Sequence, residues 1–222
     1  MIRPLSPTAV ARRVARDIPD GSYVNLGIGL PTLVADCVGS DKEIVYHSEN
    51  GILGMGPAPA PGAEDPELIN AGKQPVTLLP GGSFFHHTDA FVMMRGGHLD
   101  VSVLGAFQVS ATGDLANWAT DEAALPPAVG GAMDLAVGAK RVLVMTTHTT
   151  RDGRPKLLPR CTYPLTAAAV VHRVYTDLVV VDVCPEGFVV REVAPGVTPE
   201  GLQAVTGAPL RFAPDLTVVQ PD

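Results

Sequence analysis

Between Ser22 and Tyr46 the chain reads strand, glycine loop, helix, strand. Ser22 to Leu26 is a short strand, Gly27-Ile28-Gly29 its exit loop, and Pro31 opens a helix carrying Leu33, Val34 and Val38. Glu43 to Tyr46 is the next strand. This order is a βαβ unit, and two strands joined by a helical crossover lie parallel. The expected fold is therefore α/β: a mostly parallel sheet flanked by helices. Ahead of it, Ser6-Pro7 supplies an N-cap and a first-turn proline, Val10, Val14 and Ile18 share one helical face, and Pro19 closes the segment.

Further buried strands are expected at Val76–Leu79, Leu99–Leu104 and Arg141–Met145. Leu178–Val183 and Gly187–Val193 read as a late pair turning at Pro185-Glu186-Gly187, and Gly131–Gly138 as a short helix. Thr198-Pro199-Glu200 starts a last helix, with Gly207 as its stop. Residues 55–67, rich in Pro, Ala and Gly, read as an extended surface loop, and the tail after Pro209 shows little pattern.

A chain of 222 residues fits one large domain, 1–222, with a well-covered core. Its net charge of -7 argues against nucleic acid or an anionic membrane as partner. Arg3, Arg12, Arg13, Arg16 and Asp17 break any secretory apolar core, and no apolar stretch is long enough to span a bilayer, so a cytoplasmic location is expected. Cys37, Cys161 and Cys184 are scattered, which suggests neither a disulfide framework nor a zinc site. His86-His87 with Asp89 lacks a third ligand at metal spacing, so no metal is expected.

The chemistry is concentrated in Tyr46-His47-Ser48-Glu49-Asn50-Gly51, where a carboxylate stands between an apolar strand and a glycine-marked turn. Ligands of α/β proteins bind at the carboxyl ends of strands. A lone Glu-Asn-Gly is ordinarily a solvated turn, so the surrounding blocks decide its meaning. Gly27-Ile28-Gly29 lacks the third glycine of a dinucleotide fingerprint and reads as active-site floor instead.

Those blocks are Asn25-Leu-Gly-Ile-Gly-Leu-Pro31, Leu68-Ile-Asn-Ala-Gly-Lys73, Leu79-Pro-Gly-Gly82, Met94-Arg-Gly-Gly-His-Leu-Asp100, Gly113-Asp-Leu-Ala-Asn-Trp118, Gly130-Gly-Ala-Met-Asp-Leu135 and Cys161-Thr-Tyr-Pro-Leu-Thr166. In this order, and together with the Glu49 segment, they resemble the B subunit of the class I 3-oxoacid coenzyme A transferases from about Val24 to Gly207. Phe85-His86-His87 and the Trp118-Ala-Thr-Asp-Glu-Ala segment look closer to the 3-oxoadipate enzymes than to the acetoacetate ones.

The resemblance implies a three-layer transferase fold, a catalytic Glu49 that forms a glutamyl-CoA thioester, and an oxyanion-stabilising amide at Gly131. It further implies succinyl-CoA as donor, a 3-oxo acid as acceptor, no permanently bound cofactor beyond the CoA thioester substrate, and an A subunit as partner. Asn50, Lys73, Gly27, Gly29 and Gly130 are the candidate coenzyme contacts. Arg95, His86 and His87 are candidates for reading a distal carboxylate, Arg95 through its planar fork, although Arg95-Gly-Gly-His98 would equally anchor a helix end. Rival readings are acetoacetate as acceptor, an acyl-CoA hydrolase, a sugar-phosphate isomerase using Glu49 as base, or a non-catalytic effector-binding module.

Overall fold

The computed structural model describes residues 3–120 and 127–219. Helix α1 (Pro7–Asp17) starts as expected, with the Ser6 hydroxyl accepting from the Ala9 N–H at 3.2 Å. Strand β1 (Tyr23–Leu26) leads into a 3₁₀ segment, Leu30–Cys37, where the sequence suggested an ordinary helix. Strand β2 covers Val45–Ser48, two residues later than expected, and β3 (Ile52–Met55) returns antiparallel to it. Strands β4 (Leu78–Phe84), β5 (Val101–Leu104), β6 (Gln108–Ser110) and β7 (Leu115–Ala116) follow, with helix α2 (His87–Arg95) between β4 and β5. Helix α3 (Ala132–Gly138) precedes β8 (Arg141–Met145), β9 (Leu157–Leu158), β10 (Val171–Tyr175), β11 (Val179–Cys184) and β12 (Gly187–Val193). Helix α4 (Pro199–Ala204) and β13 (Leu210–Val218) end the order.

Ten strands form one sheet in the order β13-β12-β11-β10-β8-β5-β1-β2-β3-β4. Its centre, β10-β8-β5-β1-β2, is wholly parallel, as the βαβ reading requires, and antiparallel pairing begins at its two ends, β10 with β11 and β2 with β3. Strand β8 shows why its sequence is a continuous apolar run. Val142 and Val144 pack into one core with α2, α3 and the small β7-β6-β9 sheet, while Leu143 and Met145 pack into another with α1 and the 3₁₀ segment. Both faces are covered, so both strand parities are apolar. The α1 side is also tied by ions: Asp17 takes Arg13 at 2.6 Å, Arg173 at 2.5 Å and the Tyr175 hydroxyl at 2.5 Å.

Several boundaries correct the sequence reading. The tail after Pro209 is a nine-residue strand, β13, parallel to β12 at the sheet edge. Pro80-Gly81-Gly82 lies inside β4, the opposite edge, where a proline forfeits no ladder bond on its open side. The expected strand at Val76–Leu79 accordingly begins at Leu78 and runs on to Phe84. The surface loop expected from Met55 begins after it, since Met55 pairs with Leu78. Helix α4 stops at Ala204, before Gly207, its last turn closed by the Val205 N–H on Leu202 and Gln203 carbonyls. Of the Trp118–Ala123 feature, residues 121–123 lie outside the described residues.

Candidate active site

The carboxyl ends of β1, β2, β5 and β8 open into a cavity of about 950 Å³. Glu49 enters it from the β2–β3 hairpin, whose turn is closed by the Gly51 N–H donating to the Ser48 carbonyl at 3.0 Å. Two glycines make room for this arrangement. Gly51 has φ +110°, and a Cβ there would collide with the Phe85 carbonyl oxygen. Gly131, just ahead of α3, leaves the space the carboxylate occupies, because a Cβ there would lie 3.1 Å from Glu49 Cδ and closer still to Oε2, so any side chain would push the carboxylate aside. Gly131 has an ordinary φ of -82°, so the glycine there serves the position of the Glu49 carboxylate and not the backbone.

The surroundings hold the turn and tune its carboxylate. The His87 ring Nδ1 meets the Glu49 carbonyl at 2.8 Å, and Phe91 packs edge-on against His87 with ring centroids 5.0 Å apart. Beneath the hairpin, Asn25 Nδ2 reaches His47 Nδ1 at 3.1 Å and the His47 carbonyl at 3.0 Å. Burial pushes the Glu49 carboxyl up from its ordinary range; His87 opposes the rise and Asp134 adds to it. Burial lowers His47 to about 4, so its ring is neutral.

Asn50 has both ends of its amide engaged: Oδ1 accepts from Ser48 Oγ at 2.7 Å, and Nδ2 donates to the Ile69 carbonyl at 2.7 Å. It thereby clips the 69–71 loop to the hairpin, helped by the Ala71 N–H on Ser48 Oγ at 3.1 Å. Lys73 is exposed, with φ +62°, in a turn whose flanking Gly72 and Gln74 line the cavity. Gly27 and Gly130 line the cavity as well, while Gly29 begins the 3₁₀ segment at φ +90°. Met55, Gly56, Pro57, Ala58 and Pro59 form part of its wall.

The three candidate substrate readers are placed differently from one another. His87 sits under Glu49, as described. His86 caps α2, its Nδ1 accepting from the Thr88 N–H at 3.2 Å. Arg95 ends α2, pairs with Asp134 at 2.6 Å, lies over Phe91 and is not among the cavity-lining residues. Among the described residues no three His, Cys, Asp or Glu side chains are grouped to hold a metal. No helix among them is long and apolar enough to cross a membrane.

Three residues escaped the sequence reading. Asn25 and His47 stand in the quoted segments, where no role was assigned to them. Lys156, which lines the cavity, follows a proline like any surface lysine.

The site is thus a cavity at the mouth of a parallel sheet, with the Glu49 carboxylate set against Gly131. Residues 8–204 match the family model "Coenzyme A transferase", and the chain belongs to that family, whose enzymes transfer CoA. It is 63% identical over 206 residues to the B subunit of the 3-oxoadipate CoA-transferase of Pseudomonas putida, covering 93% of this chain and 96% of that one. It is 46% identical over 200 residues to the B subunit of the succinyl-CoA:3-ketoacid coenzyme A transferase of Helicobacter pylori, covering 90% and 96%. Its fold matches an acyl-CoA transferase from Escherichia coli O157:H7 in a thioester complex with CoA, with a TM-score of 0.76 at 19% identity. That match covers 100% of this chain and 44% of the solved one.

Proposed function

We propose that this chain is the catalytic B subunit of a transferase that moves CoA from succinyl-CoA to 3-oxoadipate through a glutamyl-CoA thioester on Glu49. The observation that carries this reading is the Glu49 carboxylate lodged where a Gly131 side chain would begin. A carboxylate so placed is partly stripped of water, hence more nucleophilic, and it stands beside the Gly131 amide. Among the described residues the Gly131 N–H has no hydrogen-bond acceptor, which leaves it available to an oxygen that gains charge.

In the first step a Glu49 oxygen attacks the succinyl-CoA carbonyl, the C–S bond breaks, and CoA leaves as thiolate from a mixed anhydride. The thiolate then attacks the glutamyl carbonyl, the anhydride C–O bond breaks, and succinate departs. The acceptor carboxylate attacks the glutamyl thioester and releases thiolate again, which takes the acyl group from the new anhydride and regenerates Glu49. Each intermediate stays activated, so the thioester free energy is carried over. Both hydrolyse if wetted, and the wall formed by residues 55–59 is the shield.

Asn50 holds the nucleophile's turn to the 69–71 loop. Lys73, between two cavity-lining residues, is the cation for the coenzyme's anionic groups, and Gly27, Gly29 and Gly130 let backbone approach it. His87 steadies the Glu49 carbonyl; His86 and Arg95 act on substrate only through the helix α2 they bound. The names of the relatives, each one subunit of a larger enzyme, and the longer chain of the solved transferase support an A subunit that completes the site.

The test uses the chain co-purified with its A subunit. It is incubated with succinyl-CoA and no acceptor, reduced with borohydride and mapped by mass spectrometry. Reduction at Glu49 is expected, with 3-oxoadipate then restoring turnover better than acetoacetate. An unmodified Glu49 in a complex that turns over would sink the covalent mechanism, and release of free CoA at the same rate without acceptor would make it a hydrolase.

A further inference from the structure

Four charged side chains line the cavity among the described residues: Asp36, Glu49, Glu64 and Lys156. Among the described residues of this chain, an acid substrate entering this space meets one lining cation, Lys156. Lys156 is built in from both sides: its N–H donates to the His148 carbonyl at 3.2 Å, and its carbonyl accepts from Val109 at 2.9 Å. Its ammonium donates to Thr146 Oγ1 and Thr147 Oγ1, each at 2.9 Å. Those hydroxyls spend their own protons on the Ala106 carbonyl at 2.9 Å and the Thr149 carbonyl at 2.8 Å, so both present lone pairs to the lysine.

An ammonium has three N–H donors. Two are used by hydroxyls, and among the described residues no carboxylate lies within ion-pair distance of Nζ. One donor and the full charge are left over. Burial lowers the lysine's proton affinity, while Asp177 opposes this from a distance. Such a half-buried cation with one free donor suits a single carboxylate better than the several heavily hydrated charges of a phosphate chain.

Its place in the sheet sets the geometry. Thr146 follows directly on β8, and Glu49 follows directly on β2; the order β8-β5-β1-β2 separates them by three strand spacings. At about 4.8 Å per spacing, the two strand ends stand about 14 Å apart. The Glu49 turn and the Thr146–Thr147 hydroxyls that hold the cation thus stand toward opposite ends of one row of strand termini on the same cavity.

We propose that Lys156 selects acids with a second, distal carboxylate, pairing with it while the reacting carboxyl group is held at Glu49. This rests on the transferase reading for the reacting end only. It makes Lys156 a specificity residue for dicarboxylic acids over monocarboxylic ones of equal length.

The experiment measures binding without turnover. Adipate and hexanoate, six-carbon acids with and without the far charge, are titrated calorimetrically into the complex of this chain with its A subunit, as wild type, Lys156→Met and Lys156→Arg. Loss of one charge-assisted pair weakens adipate about 10- to 100-fold in Lys156→Met. Lys156→Arg, which keeps the charge, retains most of the affinity, and hexanoate binds all three forms alike. Equal adipate affinity in wild type and Lys156→Met, an equal loss for both acids, or no adipate binding by the wild type would overturn the assignment. A wild type that discriminates adipate through Lys156 yet transfers no CoA would refute the transferase reading and leave this one standing.

Discussion

Glu49 and Gly131 share one volume: the glutamate carboxylate stands where a side chain at residue 131 would begin. Gly131→Ala is conformationally permitted at φ -82°, so its effect is to displace the nucleophile and crowd the amide beside it. We expect kcat to fall about 100-fold or more, the loss typical of a disturbed oxyanion donor, with little change in melting temperature. Steady-state kinetics beside a thermal melt check this. Near-normal kcat in a folded Gly131→Ala complex would refute the shared volume.

The same carboxylate sets the acid limb of the pH profile. Attack requires ionised Glu49, and burial raises its pKa, so kcat/KM falls with decreasing pH at a higher pH than an ordinary carboxylate would give. Asp134→Asn removes a charge that raises the pKa and moves the limb to lower pH; His87→Gln removes an opposing influence and moves it to higher pH. For stability the sign runs the same way. A raised folded pKa means that ionised Glu49 costs folding free energy at neutral pH, a cost relieved as pH falls through that pKa. Glu49→Gln is therefore expected to melt at a higher temperature at pH 7 while losing turnover.

A second pH effect lies outside the cavity. His148 is fully buried between Thr176, at 3.1 Å from Nδ1, and Thr206, at 2.9 Å from Nε2, and burial lowers its pKa from 6.5 to about 4. The folded state thus holds it neutral. The stability this supplies is complete above about 6.5 and lost as pH falls from there through about 4. Denaturant unfolding at pH 7 and pH 4.5 should show a drop, of which His148 accounts for about 2 to 3 kcal/mol. His148→Gln should remove that share of the pH dependence. An unchanged slope would show that the ring titrates normally.

How much of this was legible depended on whether local pattern and tertiary demand agreed. The βαβ unit was readable because Val24, Val34, Ile44 and Tyr46 are apolar for the same reason that they are buried: they fill the α1-side core. Glu49 and Gly131 were singled out only through the ordered family blocks, because a glutamate after a strand is ordinarily solvated and a glycine pair before a helix serves close packing equally well. Strand β13 was hidden because it is an edge strand, with half its residues solvated and Pro214 within it, so periodicity is weak. Lys156 was hidden for another reason. A lysine becomes a cavity residue through Thr146 and Thr147, whose hydroxyls turn its ammonium, and no spacing along the chain announces that meeting.

Gly51 couples stability to catalysis at the turn that carries Glu49. Its φ of +110° strains any side chain, and a Cβ would also strike the Phe85 carbonyl. Phe85 cannot yield freely: its N–H donates to the Gly51 carbonyl at 3.1 Å, and its ring stacks on buried His47 with centroids 6.0 Å apart. Displacing it also shifts the start of α2 and the His87 that steadies Glu49. Gly51→Ala is expected to cost about 2 to 4 kcal/mol, strain and overpacking together, and to lower kcat at least tenfold in the fraction that remains folded. Gly21→Ala is the control, because Gly21 has φ +72° but open space around its Cβ. It should cost about 1 kcal/mol and leave kcat unchanged. If the two variants lost stability and activity alike, the Phe85 contact would carry no weight, and backbone conformation alone would explain the glycine.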